Sequence, residues 1–414
     1  MSKQDQQSTL GTGPARRQRS ARRDIRVDNP GHGTAFSMSG FSLDRLLGGI
    51  SPEAFLRDYW QKKPLLVRQA LPGFGGWLDF AGLAELAARD DAESRLVRHQ
   101  RGRWLLDRGP FEHERLDKLP RRGWSLLVSG VNHMLPEGDD LLNAFDFVPR
   151  ARLDDLMVSY APPGGGVGPH FDSYDVFLIQ GQGRRRWEIS SQDDLEVAEG
   201  APLRILERFT PHQSWEVEPG DLLYLPPKFA HNGVALTDCM TWSVGFRAPS
   251  ASEVVYQFLC YLQDRTEPPG LFAEPVRKRP RHPGEMPADL IDWSAKLLGQ
   301  IRWNEADVAD FLGRFLTEPK AHIFFDPPDP PLSEAAFRRA VARHGVRLSA
   351  LSQMLFKGRH FYLNGERIVT PTGQTGGLRT LADCRMLAAT GCTPALIPLL
   401  YEWYRADFAA IGMN

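Results

Sequence analysis

Six short apolar segments, separated by turns rich in glycine and proline, occupy the middle of this chain and most constrain its fold. They comprise residues 156–160, 176–180, 185–189, 214–217, 221–225 and 241–246. Short strands that follow one another without long helices between them are typical of an antiparallel sandwich or barrel. The turn Gly181-Gln182-Gly183 between the second and third segments predicts a hairpin. We therefore expect a mainly β core here, with helices added on either side.

A His-x-Asp pair and a distant histidine lie within this β region. The pair is His170 and Asp172, and His231 follows the strand that the dipeptide Pro226-Pro227 ends. In an extended backbone residues i and i+2 point to the same face, so His170 and Asp172 can reach one ion. Two imidazoles and one carboxylate on one face of a metal leave positions open for other ligands, as non-haem iron oxygenases require. The set predicts an Fe(II) site, with zinc as an alternative.

The neighbouring turns favour a metal site over a chance match. An isolated His-x-Asp occurs often by chance, and its ordinary interpretation is a surface histidine and aspartate. Here Gly164-Gly165-Gly166 allows a tight entry into the pair, and Glu218-Pro219-Gly220-Asp221 is a strong turn before the strand that precedes His231. These features agree on one architecture, which favours the metal.

Three consecutive arginines, Arg184, Arg185 and Arg186, begin the strand at residues 185–189. Alternation along a strand places Arg185 on the same face as Trp187, which should face the apolar core. We therefore expect a buried Arg185 that binds a carboxylate through paired hydrogen bonds, and we expect Arg184 and Arg186 in solvent.

Composition excludes several classes of protein. The 50 lysines and arginines against 51 acidic residues give a net charge of −1, so bulk charge does not predict binding to a polyanion.

Residues 1–35 carry clustered arginines and few large apolar side chains, which predicts a disordered, solvated tail; a weak RNA-contacting arm is the alternative. No apolar run approaches the ~20 residues of a membrane span, and four dispersed cysteines suit a reducing compartment. We expect a cytoplasmic protein without membrane contact.

Helical periodicity begins after Pro249 and continues, around a Pro-rich basic linker, to about residue 320. The last hundred residues predict helices at 335–344, 349–356, 381–389 and 394–404, with a hairpin around Asn364-Gly365. This order is typical of a winged helix, and a small α+β module without a nucleic-acid role is the alternative.

Around the predicted site the chain resembles the JmjC-type, cupin-fold 2-oxoglutarate oxygenases, and among them the bacterial ribosomal oxygenases of the YcfD/RoxA type. The resemblance covers roughly residues 40 to 250. The matching segments are residues 124–128, 154–157, 163–170, 174–177, 183–187, 218–221 and 243–249.

The resemblance implies a mainly β fold with α. A double-stranded β-helix (cupin/JmjC) oxygenase domain would span residues 36–249, a helical dimerisation region residues 250–320, and a winged-helix-like domain residues 321–414. It implies that His170, Asp172 and His231 bind Fe(II) and are the catalytic centre. It also implies that Arg185 binds the far carboxylate of the cosubstrate 2-oxoglutarate and that Ser159 assists.

The activity implied by the resemblance is that of a dioxygenase. A cytoplasmic homodimer would use dioxygen and 2-oxoglutarate to hydroxylate the β-carbon (3-position) of an arginine in the large-subunit ribosomal protein uL16. Relatives that hydroxylate histidine or demethylate histone lysines share the iron site, so the target stays open. A metal-holding cupin that only binds RNA or protein is the alternative from another class. Two nearby acids, Asp155 and Asp175, receive no catalytic role, and we expect Asp175 to accept structural hydrogen bonds.

Overall fold

The computed structural model of the protein describes residues 41–266, 270–276 and 278–412. The predicted tail at residues 1–35 lies outside the described residues. The first part of the described chain contains five α-helices and four strands, besides short 3-10 turns. These are α1 (Leu43–Leu46), α2 (Pro52–Asp58), α3 (Phe80–Ala87), α4 (His113–Asp117), α5 (Pro136–Asn143), β1 (Leu65–Val67), β2 (Ser94–Gln100), β3 (Arg103–Arg108) and β4 (Trp124–Val128).

The region that contains the predicted site is built of strands, as the turn-punctuated segments predict. The strands are β5 (Leu153–Ala161), β6 (Val176–Gln182), β7 (Arg185–Ser190), β8 (Gln213–Val217), β9 (Leu222–Leu225), β10 (Ala230–Ala235) and β11 (Cys239–Phe246). An eight-stranded sheet has the order β1-β9-β6-β11-β5-β4-β2-β3, and a three-stranded sheet has the order β10-β7-β8. Buried side chains from both sheets, including Leu178, Trp187 and Leu223, form one apolar cluster, so the sheets pack face to face.

The predicted hairpin at Gly181-Gln182-Gly183 is wrong. Strand β6 pairs with β9 and β11, whereas β7 pairs with β8 and β10, so this turn carries the chain from one sheet to the other. Gly183 has a φ of 61°, and a Cβ there would lie 1.9 Å from the carbonyl oxygen of Asp238. Turn residues specify a local reversal, but long-range packing decides which strands pair.

An aromatic cluster packs α2 against the large sheet. The ring of Phe55 lies 5.0 Å from Tyr224 of β9, and Phe177 of β6 lies 4.9 Å from the same ring. Ser51 caps α2 by accepting a hydrogen bond from the Ala54 amide, with proline at the first helical position. Full burial of Phe55 contributes about 2–3 kcal/mol, which fixes the amino-terminal helices on the outside of the barrel.

Helices dominate the remainder of the described chain. The elements are α6 (Ala251–Arg265), α7 (Ala288–Leu298), α8 (Glu305–Phe315), α9 (Glu334–His344), β12 (Val346–Leu348), β13 (Met354–Lys357), β14 (His360–Leu363), β15 (Glu366–Ile368), α10 (Thr375–Cys384), β16 (Met386–Leu387), α11 (Ile397–Arg405) and β17 (Ala409–Ile411). Helices α9 and α11 and the β14–β15 hairpin confirm three predictions. None of the helices in the described ranges is long and apolar enough to cross a membrane.

Two predictions for this part need correction. The predicted helix at 349–356 is wrong, because Met354–Lys357 forms a strand that pairs with β14. The predicted helix at 381–389 ends early, since α10 stops at Cys384 and Arg385 takes a left-handed φ of 57°. The Arg385 guanidinium donates to the Ser349 and Ser352 carbonyls, so tertiary hydrogen bonds hold the chain out of the helix.

Candidate active site

Three of the residues predicted from the sequence meet at one point. His170, Asp172 and His231 each offer a ligand atom, and these atoms all lie within 4.8 Å of one another. The His231 Nε2 lies 3.7 Å from the Asp172 Oδ2, and the two imidazole centroids lie 4.2 Å apart. Such separations allow one small cation to contact all three side chains.

The backbone that presents the pair differs from the expectation. His170 and Asp172 do not lie in a strand; His170 makes a single antiparallel bridge to His231, and Asp172 follows in a loop. The His170 amide donates to the His231 carbonyl at 2.9 Å, and the His231 amide donates back at 2.8 Å. His231 itself lies in β10, opposite Ile189 of β7. The Lys228 amide donates to the Asp172 carbonyl at 2.8 Å, which holds the loop on the other side.

The hydrogen bonds of the two imidazoles select the tautomer that binds metals. Nδ1 of His170 lies 2.9 Å from the Gly168 carbonyl, and Nδ1 of His231 lies 2.9 Å from the Phe229 carbonyl. A carbonyl only accepts, so each Nδ1 carries the hydrogen and each Nε2 keeps a lone pair. Burial, assisted by the nearby His170, lowers the pKa of His231 to about 4, so this ring is neutral at neutral pH. The donor set therefore fits a divalent cation.

A cavity of about 460 Å³ opens beside the three side chains. Its wall includes Arg185 and Ser159, together with Met157, Tyr174 and Trp187. This volume lies in the range of pockets that take small organic ligands.

Arg185 lies in the cavity wall with unused hydrogen-bond donors. Arg185 is 4% exposed, and its Nη1 donates to the Gly233 carbonyl at 3.4 Å, whereas Nε and Nη2 have no hydrogen-bond partner in the part of the chain that the structure describes. The guanidinium lies over the Trp187 ring, 5.5 Å from the centroid. Unpaired buried donors are costly, so this guanidinium fits a carboxylate ligand. By contrast, Arg184 and Arg186 are half exposed and lie near surface glutamates.

Ser159 lies in the same wall on β5 and is 8% exposed. It is paired across the sheet with Thr241 of β11, whose hydroxyl donates to Gln180 at 3.2 Å. Sequence reasoning missed Thr241 and Ser243 as cavity residues. The sequence could have indicated them, because they are polar residues at alternating positions of an otherwise apolar strand.

The two acids near the site have different surroundings. Asp175 is fully buried and accepts hydrogen bonds from Tyr224 at 2.7 Å and Gln61 at 3.1 Å, in agreement with the expectation of a structural acceptor. Asp155 instead lines the cavity. Its Oδ2 accepts from the Gly130 amide at 2.9 Å, whereas Oδ1 has no hydrogen bond within the described part of the chain. Burial raises the pKa of Asp155.

Tyr174, which sequence reasoning did not select, also lies in the cavity wall, beside Asp172. The charge of Asp172, followed by burial, raises the pKa of Tyr174, so its hydroxyl keeps its proton.

Comparison with known proteins agrees with this fold and site. A model of the JmjC domain matches residues 140–254, and a model of the ROXA-like winged helix matches residues 300–410. These two matches define the class: a JmjC-domain protein with a winged helix after the barrel.

Relatives of known name make the assignment more specific. The chain is 36% identical over 322 residues to a ribosomal protein uL16 3-hydroxylase of Escherichia coli, covering 77% of this chain and 85% of that protein. It is 42% identical over 226 residues to a probable ribosomal oxygenase of Haemophilus influenzae, covering 54% and 55%. The chain belongs to the JmjC-domain ribosomal oxygenases.

Solved structures show the same likeness. The crystal structure of E. coli YcfD superposes with a TM-score of 0.75 at 32% identity, covering 86% of this chain and 96% of that one. YcfD in complex with cobalt and 2-oxoglutarate superposes with a TM-score of 0.72, also at 32% identity and with the same coverage of both chains.

Proposed function

We propose that this protein is a 2-oxoglutarate- and Fe(II)-dependent dioxygenase that hydroxylates the β-carbon of an arginine in ribosomal protein uL16. The observation that carries the proposal is the cluster of His170, Asp172 and His231 in one cavity with the unpaired donors of Arg185. The E. coli relative is named a 3-hydroxylase of uL16, and YcfD has been solved with cobalt and 2-oxoglutarate.

The three clustered side chains hold the metal in this proposal. When bound, Fe(II) with 2-oxoglutarate and dioxygen supplies the oxidation: one oxygen atom enters the substrate C–H bond and the other enters succinate as carbon dioxide is lost. The Gly168 and Phe229 carbonyls keep both imidazoles in orientation through Nδ1. The Lys228 amide donates to the Asp172 carbonyl and so holds the loop that presents the carboxylate.

Arg185 holds the far carboxylate of 2-oxoglutarate through its free Nε and Nη2 groups. Contact with Trp187 restricts the guanidinium to one orientation, and Ser159 lies in the same wall as a further donor. The far carboxylate of 2-oxoglutarate would replace water at the buried Arg185 guanidinium. Because the guanidinium has a fixed place in the wall, only an acid whose length spans the distance from the metal to Arg185 would make this contact.

Asp155 supports an arginine as the target. Its unpaired oxygen in the cavity is an acceptor for a guanidinium, whose arrival offsets the cost of burying a carboxylate. A cationic substrate would therefore enter on the Asp155 side, away from Arg185. Since the iron site is common to relatives with other targets, recognition of the side chain has to come from such wall residues.

We divide the chain into an oxygenase domain at residues 36–249, a helical region at 250–320 and a winged-helix-like domain at 321–414, and we propose a homodimer in the cytoplasm. Exposed apolar residues on α6 support the dimer, since Val255, Tyr256 and Leu259 are 58%, 65% and 60% exposed. Contact of the arginine-rich tail with ribosomal RNA concerns residues outside the described ranges and stays a prediction.

A reconstituted reaction tests this function. The purified protein is incubated with Fe(II), 2-oxoglutarate and a uL16 peptide, and we expect the mass of one oxygen atom on an arginine with succinate formed in equal amount. Under nitrogen, 2-oxoglutarate should produce a visible charge-transfer band with the Fe(II) protein. Oxygen on histidine would indicate the alternative target. No band and no turnover would indicate a metal-holding cupin that only binds.

A further inference from the structure

A second arginine, Arg95 of β2, lines the active-site cavity from the eight-stranded sheet, whereas Arg185 belongs to the three-stranded sheet. It lines the cavity together with Leu127 of β4 and Met157 of β5. Its Nη2 donates to the Met157 sulfur at 3.4 Å, and its Nε is enclosed without a hydrogen-bond partner among the described residues. A thioether is a weak acceptor, so the guanidinium keeps most of its hydrogen-bonding capacity unused.

Arg95 also forms no salt bridge within the described residues, although the carboxylates of Glu93 and Asp155 line the same cavity. Directly across the strand pair, its partner position is Arg108 of β3, so two positive charges face each other at this edge of the sheet. Like charges at opposed positions are unfavourable, and an enclosed donor without a partner is unusual. An acceptor supplied by a ligand would relieve both.

The proposed function gives the far carboxylate of 2-oxoglutarate to Arg185, not to Arg95. Arg185 lies on the small sheet, and its Nε and Nη2 have no hydrogen-bond partner within the described residues. Arg95 lies on the large sheet, in one cross-strand row with Leu127 and Ser159. The unused donors of Arg95 are therefore available for a different group.

The target side of the cavity contains the complementary group. Asp155 lies on β5 two residues before Met157, the residue that Arg95 contacts. Residues i and i+2 share a face, so Asp155 and Met157 lie in the same wall, and the Arg95 guanidinium reaches this wall at Met157. A substrate arginine has the opposite polarity: a cationic end and, beyond its aliphatic stem, main-chain carbonyl oxygens.

We propose that Arg95 binds a main-chain carbonyl of the polypeptide substrate beside the residue that enters the cavity. This rests on the proposed function, because it assumes a polypeptide target. Arg95 fixes the substrate chain at the mouth while Asp155 takes the guanidinium, and together they set how far the side chain reaches toward the metal. Recognition by carbonyl groups would favour a residue within a chain over the free amino acid.

Arg95→Met tests the proposal, with Arg108→Met as the matched control. The control removes the same charge from the adjacent strand at an exposed position outside the cavity wall. We expect Arg95→Met to weaken binding of a fluorescent uL16 peptide, measured by anisotropy without iron, by about ten- to hundredfold. Arg108→Met should change it by less than about twofold.

Activity supplies the second readout. KM for the peptide should rise in Arg95→Met, whereas Arg108→Met should keep the wild-type KM for the peptide and the wild-type turnover of 2-oxoglutarate. Equal peptide binding in Arg95→Met and wild type, or an equal loss in the Arg108→Met control, would overturn the proposal. A raised KM for 2-oxoglutarate would also overturn it by assigning Arg95 to the cosubstrate.

Arg95→Gln, which keeps donors but loses the charge, replaces the methionine variant if that variant fails to fold. Absence of 2-oxoglutarate turnover in the wild type would instead contradict the proposed function and leave the peptide-binding measurement to decide the role of Arg95.

Discussion

The Oδ2 of Asp172 and the Nε2 of His231 lie 3.7 Å apart, although several strands separate the two residues along the chain. One antiparallel bridge between His170 and His231 produces this proximity. Two imidazoles and one carboxylate at this separation are a donor set that divalent cations accept, which supports the iron assignment.

Asp172→Ala should abolish strong metal binding without unfolding the protein. Removing the carboxylate leaves two neutral ligands, and we expect Co(II) affinity, followed by visible absorption, to fall more than about a hundredfold. The thermal midpoint without metal should stay close to wild type, because Asp172 lies in a loop and its side chain is only partly buried. Asp193→Ala, in an exposed loop, is the control and should bind Co(II) normally. Normal binding by Asp172→Ala would exclude it as a ligand.

Arg185→Met should raise KM for 2-oxoglutarate by about ten- to hundredfold, because a charge-assisted contact to its far carboxylate is lost. Co(II) affinity should not change. Arg184→Met removes the same charge from a side chain that is 50% exposed and should leave KM unchanged. Steady-state kinetics over a range of 2-oxoglutarate concentrations distinguishes the two variants. A normal KM in Arg185→Met would assign the carboxylate to another cation.

Tyr224→Phe should destabilise the fold by about 2 kcal/mol, since the buried Asp175 loses the hydroxyl that donates to it at 2.7 Å. Urea unfolding measures the change in free energy. Tyr256→Phe is the control, because Tyr256 is 65% exposed and its hydroxyl is not buried. If both variants unfold at the same urea concentration as wild type, the Asp175 network does not contribute to stability.

His133 should make the metal-free protein less stable in acid. Burial, then the charges of Lys320 and His322, lowers its pKa to about 4, against about 6.5 in the unfolded chain. Between these values only the unfolded state takes up the proton, so stability falls as the pH falls below about 6.5. At about pH 5 the loss should be about 1–2 kcal/mol.

His133→Gln should reduce this loss, measured as the difference in urea unfolding free energy between neutral and acidic buffer. His113→Gln, at an exposed position, should leave the pH dependence of wild type intact. The same acid loss in His133→Gln and wild type would show that other groups, such as the buried His231, account for it.

Local patterns predicted the site residues better than they predicted the connections between strands. Alternation was enough to place Arg185 inward beside Trp187 and Arg184 outward, because side-chain direction in a strand has a period of two. The separation of β6 and β7 into different sheets was not predictable in this way, since β6 is buried on both faces and has no polar face to set its partner.

The misplaced helix at 349–356 has a related cause. Its residues suit a helix locally. Pairing of Met354 with Leu363 and burial of both side chains, however, stabilise the strand more than local helix formation would stabilise a helix. The extension of the sheet by β2 to β4 was likewise missed. That extension brings Arg95 and Leu127 to the cavity wall.

By itself the sequence determined which side chains can do the chemistry, namely two histidines, one aspartate and an inward arginine, because residue type and strand period are local properties. Only the tertiary structure decided their meeting point and the polarity of the cavity. A bridge between distant segments aligns the ligands, and the register of three strands places Arg95 and Asp155 along one wall. Such distances depend on long-range pairing, which no local pattern encodes.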